Sequence, residues 1–352
     1  MDTLLLEETS CIDDLRPFTS TRSVLDIRMG IFTFREKWEL MLGKDMFELV
    51  SGGSDAALPA NILPTPQLIA SIYMEMIGQP LTREAASLVL SQARIIRYPW
   101  DIFRYNAEAL TMDFTILAAQ GKSQPIPESV EVIRPDNIFI EEGARLHHCV
   151  LNASTGPIYI GRDAEIMEGS LIRGPFAACE GSIVKMGTKI YGATTLGPYS
   201  TAGGEIKNTV FFGYSNKGHD GYLGDAVIGE WCNLGAGTSA SNLKNNAGDV
   251  RVWHPASGQY INAGPKCGLL MGDYSRAAIN TSFNTGTVVG IGCNIFGEGE
   301  TPPKYIPDFS WGYHHRYKLD KALRDIDNWK KLKNQSLNDT EILTLKHIFG
   351  AL

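Results

Sequence analysis

The fold is decided by residues 160–202, which read IGRDAEIMEGSLIRGPFAACEGSIVKMGTKIYGATTLGPYSTA. Every sixth residue of this stretch is apolar: Ile160, Ile166, Ile172, Ala178, Val184, Ile190, Leu196 and Ala202. Because 43% of the chain is hydrophobic, eight such positions in a row would arise by chance about once in a thousand trials. An amphipathic helix needs apolar spacings of three and four, which are absent here. The six-residue period instead predicts a β-helix, in which the aliphatic residue fills the interior and glycine or a small polar residue forms the corner.

The same spacing continues on both sides of this stretch, with two breaks of phase. The further apolar positions are Ile140 and Leu146, then Tyr222, Ile228, Leu234 and Ala240, then Met271, Ala277, Phe283, Val289 and Ile295. The first break contains the polar, Gly-rich residues 212–221, and the second lies between Ala240 and Met271. We expect both segments to be loops expelled from the solenoid, where such loops commonly build the binding site.

The first 125 residues do not follow the period of six. Thr65 followed by Pro66 predicts a capped helix start, and Thr82 is a second candidate cap, for a helix reaching about Ala93. Short apolar stretches near residues 4–6, 94–97 and 114–117 read as strands. Residues 1–125 are therefore predicted to form a small α/β domain.

The tail after Gly312 has the spacing of helices. Leu319, Leu323 and Ile326 recur at helical intervals, and Asn338 with Glu341 resembles a capping box. We expect this tail, residues 313–352, to pack over the solenoid end and cover its open strand edge, with binding of a partner as the alternative. The solenoid itself is assigned to residues 126–312.

Composition excludes several classes of protein. The formal net charge of −7 argues against a general nucleic-acid binder or a polybasic membrane binder. No apolar run reaches the length of a membrane span, and residues 1–8 lack the features of a signal peptide, so a cytoplasmic location is expected. The six cysteines are scattered without a Cys-x-x-Cys pair, which predicts free thiols and no zinc site.

Two motifs carry a family resemblance. Residues 219–226 read HDGYLGDA and residues 233–238 read NLGAGT, and Asn242 follows. These motifs resemble the acetyltransferase half of the bifunctional UDP-N-acetylglucosamine diphosphorylase/glucosamine-1-phosphate N-acetyltransferases. The resemblance implies a left-handed parallel β-helix, a homotrimer, and acetyl transfer from acetyl-CoA to a small-molecule amino-sugar phosphate such as glucosamine-1-phosphate.

The resemblance also assigns roles to residues. An amine must lose a proton as it attacks a thioester, and the neutral imidazole of His219 is suited to accept that proton near pH 7. By resemblance, Lys207 and Lys189 hold the sugar phosphate, while Tyr222 and Asn242 orient the sugar and its amine. The family lysine expected six residues after Asn242 falls on Gly248.

A second set of residues is implied in binding the acyl donor. By resemblance, Gly235 would meet the thioester and the arm of coenzyme A, and Asn280 and Gly297 would face the coenzyme A of a neighbouring subunit. Asn233 and Asn284 are weaker candidates, since asparagines within coils are equally expected at structural or interface positions.

The N-terminal residues look like a divergent, Bacteroidetes-type branch of the same family. The resemblance rests on residues 15–38, 98–103 and 286–312. It implies a shortened sugar nucleotidyltransferase domain, in which Arg16, Arg22 and Arg28 could contact phosphates. Asp101 or Asp113 could hold Mg²⁺ if that domain is active.

Three alternatives to the acetyltransferase remain open. The chain has no glycine before Gly30, whereas nucleotidyltransferases usually begin with a Gly-rich loop around the triphosphate. A sugar-1-phosphate nucleotidyltransferase using UTP or dTTP, with the β-helix as assembly scaffold, is nevertheless the main alternative. A non-enzymatic sugar-nucleotide-binding scaffold is another, and a zinc-dependent solenoid is disfavoured because histidines are sparse in the coils.

Overall fold

A computed structural model describes residues 3–50, 52, 57–77, 80–297 and 301–351. The period of six forms a parallel β-solenoid of about ten turns. In its regular part each residue pairs with the residue 18 positions ahead, as Leu171 does with Lys189 and Phe176 with Thr194. Eighteen residues are three hexads, so each coil has three short strands. The predicted mainly β fold, with a small N-terminal α/β region and C-terminal helices, is confirmed.

The strands stack into three faces, and two long strands, Glu205–Gly213 and Tyr222–Glu230, bend from the first face into the second. The other strands of the first face are Glu131–Ile133, Val150–Asn152, Leu171–Arg173, Lys189–Tyr191, Ser239–Ala240 and Ser282–Phe283. Those of the second face are Ile138–Ile140, Ile158–Ile160, Phe176–Ala178, Thr194–Leu196, Leu270–Met271, Val288–Val289 and Tyr305–Ile306. Those of the third face are Arg145–Leu146, Glu165–Ile166, Ile183–Val184, Thr201–Ala202, Asn216–Lys217, Asn233–Leu234, Arg276–Ala277, Asn294–Ile295 and Ser310–Trp311.

The predicted interior positions are buried, with one correction. Ile160, Ile166 and Leu196 are completely buried, and the other positions of that run are also in the solenoid core. Tyr222 was expected inside, but Leu223 occupies the interior position and Tyr222 is half-buried at the surface. The reason is a coil of 17 residues, which pairs Glu205 with Tyr222 and shifts the phase by one.

The two breaks of phase have different causes. The first is not an expelled loop: residues 212–221 continue the coil, because Thr201 pairs with Asn216, only 15 positions ahead. This coil is shortened by three residues, which disturbs the period without creating an insertion. The second break is an excursion as expected, since Asn233 pairs with Arg276, 43 positions ahead. The excursion contains an antiparallel hairpin formed by strands Arg251–His254 and Gln259–Asn262.

The N-terminal region combines a parallel sheet with five helices among its described residues. Strands Phe47–Val50, Leu4–Glu7 and Leu58–Pro59 lie in that order in the sheet. The helices are α1 (Phe34–Leu42), α2 (Pro66–Glu75), α3 (Arg83–Gln92), α4 (Asp101–Arg104) and α5 (Asn106–Gln120), with short 3-10 turns at Asp13–Leu15 and Val24–Asp26.

In this region the two predicted helix starts are confirmed, whereas two of the predicted strands are not. Thr65 and Thr82 cap α2 and α3 by accepting hydrogen bonds from Leu68 and Ala85, as predicted. The strand predicted near residues 114–117 is wrong, since these residues lie within α5. The strand predicted at residues 94–97 is reduced to an isolated bridge between Ile95 and Ile62.

The N-terminal region covers the second face of the solenoid. The outward side chains of that face, such as Val210, Val227 and Leu270, are fully buried in the core of the N-terminal region. Nearer the start of the solenoid, Tyr159 and Ala177 pack against Ile31 and the helix α5. The second face is therefore apolar on both sides, whereas the first and third faces expose polar residues.

The tail forms two helices, α6 (Leu319–Lys331) and α7 (Asp339–Gly350), and the capping box of Asn338 with Glu341 is present. Its position corrects the expectation. The strand His315–Arg316 pairs with the final strand of the third face, but the helices lie along the side of the solenoid. They pack there on stacked aromatic corner residues, including Tyr214 and Trp231, whose ring centroids are 4.3 Å apart.

No helix in the described parts of the chain combines the length and apolar character needed to cross a membrane. All six cysteines are buried and free of disulfides, as the scattered spacing predicted.

Candidate active site

The first face brings the predicted phosphate-binding lysines beside Tyr222. Lys189 pairs with Glu205, which pairs with Tyr222, so these residues form one row across three coils. Tyr191, Lys207 and Gly224 pair in the same way and form the adjacent row. Since paired strands lie about 4.8 Å apart, Lys189, Lys207 and Tyr222 share one small surface.

Gly224 determines where the phenol of Tyr222 lies. A Cβ atom at Gly224 would collide with the hydroxyl of Tyr222, so the phenol occupies the space that a side chain at Gly224 would fill. Lys207 is the register partner of Gly224, which places the Tyr222 hydroxyl beside that lysine. Burial, together with nearby Tyr191 and Asp225, raises the pKa of Tyr222 to about 12, so the hydroxyl remains a hydrogen-bond donor at neutral pH.

Asn242 is fixed by a carboxylate that the sequence reasoning missed. Asp225 is 5% exposed and accepts hydrogen bonds from the amides of Asn242 and Asn208, the latter at 2.6 Å. The signal available in the sequence was an acidic residue, Asp225, within the otherwise apolar run that follows Tyr222.

His219 lies at the corner between the third and first faces, three residues before Tyr222. It lines a hollow of about 490 Å³ together with Gly203, Gly204 and Gly237. A Cβ atom at Gly203 would lie 2.6 Å from the backbone of Gly218, and one at Gly204 would lie 2.9 Å from the carbonyl oxygen of His219. The two glycines thus allow the His219 corner to sit directly against the preceding coil.

Lys217 is a second residue that the sequence reasoning missed. It occupies an interior position of the third face, paired with Ala202, and is 1% exposed. Its ammonium donates to the carbonyl oxygens of Gly203 at 3.1 Å and of His219 at 2.8 Å. Burial lowers the pKa of Lys217 to about 8. The lysine therefore ties the His219 corner to the neighbouring coil.

The residues predicted to meet coenzyme A lie at the same corner on later coils. Gly235 donates to the carbonyl of Ala277 at 2.9 Å, and Asn280 donates to Ala236 at 2.7 Å. A Cβ atom at Gly235 would lie 2.5 Å from the nitrogen of Ile279.

Gly297 ends the described part of this corner, beneath the ring of Tyr313. The corner exposes backbone and apolar groups, with Met186 67% and Ile279 68% exposed.

The two weaker asparagine candidates lie elsewhere. Asn233 is on the third face, in a small cleft beside helix α6 that also contains Arg276 and Tyr317. Asn284 directly follows the strand Ser282–Phe283 of the first face, and its carbonyl oxygen accepts from the Thr287 hydroxyl at 2.9 Å. The structure does not bring Asn233 together with Lys207 and Tyr222.

The N-terminal arginines differ in their partners. Arg22, whose side chain is 11% exposed, lies between the two regions and forms ion pairs with Asp273 and with Glu230, the latter at 3.1 Å. Burial opposes the charge, but the carboxylates of Asp273 and Glu230 raise the pKa of Arg22 above its ordinary value. Arg28 is also buried and donates to the carbonyl of Phe212 at 3.2 Å.

Arg16 is half-exposed and pairs with Asp13 at 2.8 Å. Of the three arginines, Arg16 is thus the most accessible to a nucleotide, whereas Arg22 and Arg28 join the N-terminal region to the solenoid.

The two candidate Mg²⁺ ligands do not fit a metal ion. Asp113 is completely buried and pairs with Lys37, and it accepts from the backbone of Ile31 at 2.8 Å. Asp101 accepts from the backbone N–H groups of Arg97 and Tyr98 at 3.0 Å each. Among the described residues, no group of three or more His, Cys, Asp or Glu side chains could hold a metal ion.

Comparison with known proteins finds similarity to sugar nucleotidyltransferases and to bifunctional GlmU proteins. Residues 3–52 match a family model described as sugar nucleotidyl transferase. The bifunctional protein GlmU of Cyanothece sp. is 29% identical over 164 residues, 39% of this chain and 35% of that protein. The bifunctional sugar-1-phosphate nucleotidylyltransferase/acetyltransferase of Sulfurisphaera tokodaii is 33% identical over 144 residues, 40% of this chain and 35% of that protein.

This chain is therefore similar, over part of its length, to the GlmU-like proteins. The predicted resemblance is confirmed, although the chain spans about a third or less of the length of the first curated relatives that it matches. Among solved structures, the polySia-specific acetyltransferase NeuO aligns at a TM-score of 0.27 and 14% identity, covering 52% of this chain and 82% of that one. A TM-score this low carries no argument about function.

Proposed function

We propose that this chain transfers an acetyl group from acetyl-CoA to the amine of an amino-sugar phosphate. The main support for this proposal is that Lys189, Lys207 and Tyr222 share one surface, which lies next to the glycine-lined corner of His219. A pair of lysines suits a phosphate, and a phenol and an amide suit the hydroxyl groups of a sugar.

The residues have distinct roles in the proposed reaction. Lys189 and Lys207 hold the phosphate, and Tyr222 and Asn242, fixed by Gly224 and Asp225, orient the sugar. The amine nitrogen attacks the thioester carbon, the carbon–nitrogen bond forms, and the carbon–sulfur bond breaks. His219 accepts the proton that the nitrogen loses, and the thiolate of coenzyme A leaves and is protonated.

The donor is proposed to lie along the His219 corner. Gly235, Asn280 and Gly297 would line its path, because they continue the corner beside the His219 hollow on later coils. Acetyl-CoA supplies the activated acetyl group. A homotrimer is part of the proposal, and because the N-terminal region covers the second face, that face is not free for contacts between copies.

Nucleotidyl transfer by the N-terminal region is not favoured. Of the groups that the sequence offered for it, Arg22, Arg28, Asp101 and Asp113 are engaged by other protein groups. Residues 3–52 match the sugar nucleotidyl transferase model, so pyrophosphate release from UTP with Mg²⁺ is worth measuring beside acetyl transfer.

The decisive test follows thiol release from acetyl-CoA with glucosamine-1-phosphate. We expect His219→Ala to lower kcat by about 10² to 10⁴-fold, the usual contribution of a general base, with little change in KM for the sugar. His147→Ala is the matched control, since His147 is an exposed corner histidine on a distant coil. Equal rates for His219→Ala and wild type, with both proteins folded, would overturn the assignment of the base.

A further inference from the structure

A groove extends the proposed acceptor site toward the start of the solenoid. It lies on the first face, has a volume of about 720 Å³, and shares Lys189, Tyr191 and Glu205 with that site. From there it continues across the two preceding coils to Val150. Pockets for ligands of drug size have about 300–1,000 Å³, so this groove is larger than a sugar monophosphate requires.

Three positively charged side chains lie on successive coils along the groove. Arg173 lies on one coil, Lys189 on the next and Lys207 on the third, as the pairing of these strands shows. At about 4.8 Å per coil, the row spans about 10 Å. Among the described residues, neither Arg173 nor Lys189 has an ion pair or side-chain hydrogen bond. Two adjacent lysines suffice for one phosphate, which leaves the guanidinium of Arg173 for a second one.

The carboxylate in the groove is already engaged. Glu205 lies between the lysines and accepts a hydrogen bond from the hydroxyl of Tyr191 at 2.6 Å. This hydrogen bond fixes the Tyr191 ring, and the Lys207 ammonium lies 5.8 Å from the centre of that ring.

The far end of the groove is apolar. Leu171 is 49% exposed, and Val150 and Pro175 lie beside it. These side chains offer an apolar surface that the face of a nucleobase would cover. A simple sugar phosphate has no group that would cover this surface.

We propose that the acceptor is an amino sugar carried on a nucleoside diphosphate. The sugar lies at Tyr222, the diphosphate contacts Lys207, Lys189 and Arg173, and the base covers Leu171 and Val150. This inference rests on the proposed acetyl transfer and names its substrate class. A second copy of the chain lying in the groove is the competing occupant.

The test measures binding and turnover separately. Calorimetric titration with UDP should show binding, and Arg173→Ala should raise the Kd about tenfold, which corresponds to about 1.4 kcal/mol. Arg145→Ala is the matched control, because Arg145 is a half-exposed arginine of the third face that pairs with Glu165. In thiol-release assays Arg173→Ala should raise KM for UDP-linked glucosamine about tenfold and leave KM for glucosamine-1-phosphate within twofold.

The outcomes distinguish this inference from the proposed function. Acetylation of glucosamine-1-phosphate without UDP binding would overturn the inference and leave the function standing. UDP binding that depends on Arg173, without thiol release from any acceptor, would support a nucleotide site and overturn the acetyl transfer. If Leu171→Glu dissociates an oligomer in sedimentation experiments, the groove is an interface between copies and the inference is wrong.

Discussion

The solenoid and the N-terminal region are stabilised in opposite ways. In the solenoid, the same aliphatic contact recurs on successive coils, as Ile172 and Ile190 illustrate, and each copy resembles the next. The N-terminal region depends on contacts made once, above all the buried pair of Lys37 and Asp113. A repeated contact can be recognised in the sequence, and the loss of one copy removes a small part of the stability. A single buried charge pair contributes a large part of the stability of its region, so its loss costs more.

The largest effect on stability is expected from a substitution that breaks the pair of Lys37 and Asp113. Asp113→Ala leaves the Lys37 ammonium buried without its carboxylate and removes the acceptor of the Ile31 N–H group. We expect a loss of about 3–5 kcal/mol in the free energy of unfolding, measured by urea denaturation. Glu108→Ala on the same helix removes a half-exposed pair with Arg94 and should cost less than about 1 kcal/mol. Similar losses for both variants would refute the comparison.

The junction between the two regions gives the next effect. Arg22→Met leaves Asp273, which is fully buried, without its cation and should cost about 3 kcal/mol. Limited proteolysis should then cut the N-terminal region before the solenoid. Arg16→Met, at a half-exposed pair with Asp13, is the control and should leave the digestion pattern unchanged.

Lys217 introduces a unique contact within the repeat, and it predicts a dependence on pH. Burial lowers its pKa from 10.5 to about 8, so between these pH values the unfolded chain binds more protons than the folded one. Stability contributed by this group therefore rises with pH. Relative to Lys217→Met, wild type should gain about 1–3 kcal/mol in unfolding free energy between pH 8 and 10.5, at 1.36 kcal/mol per pKa unit. A constant difference over that range would show that Lys217 does not titrate as described.

The smallest effect tests the equivalence of the coils. Ile172→Val and Ile190→Val each remove one methylene group from paired interior positions, and each should cost about 1 kcal/mol. We expect the two losses to agree within about 0.5 kcal/mol, as measured by urea denaturation. A clear inequality would show that neighbouring coils are not interchangeable.

Local signals in the sequence were sufficient for much of the fold. The period of six placed Ile160 and Ile190 inside the solenoid, and the hydroxyl groups of Thr65 and Thr82 located two helix starts. Each of these signals acts within one coil or one helical turn. The same is true of the motif HDGYLGDA, on which the assignment of His219 and Tyr222 rests, although residues 212–221 continue the coil and do not form the predicted loop.

Other features were decided only by contacts between distant parts of the chain. Residues 114–117 are apolar enough for a strand, but they belong to α5, which packs on the second face. From the sequence alone, Arg22 is a candidate phosphate ligand. In the fold it forms an ion pair with Asp273, which is distant in the sequence. Tyr222 moved to the surface because one coil is shortened, which a strict count of six does not register.

The sequence by itself therefore determined the repeat, its corners and the identity of the motif residues, because periodicity is a property of neighbours in the chain. The tertiary structure decided which face is covered, which charges are paired, and that Lys217 reaches the His219 carbonyl. The physical reason is that burial and charge pairing depend on residues far apart in sequence, such as Arg22 and Asp273.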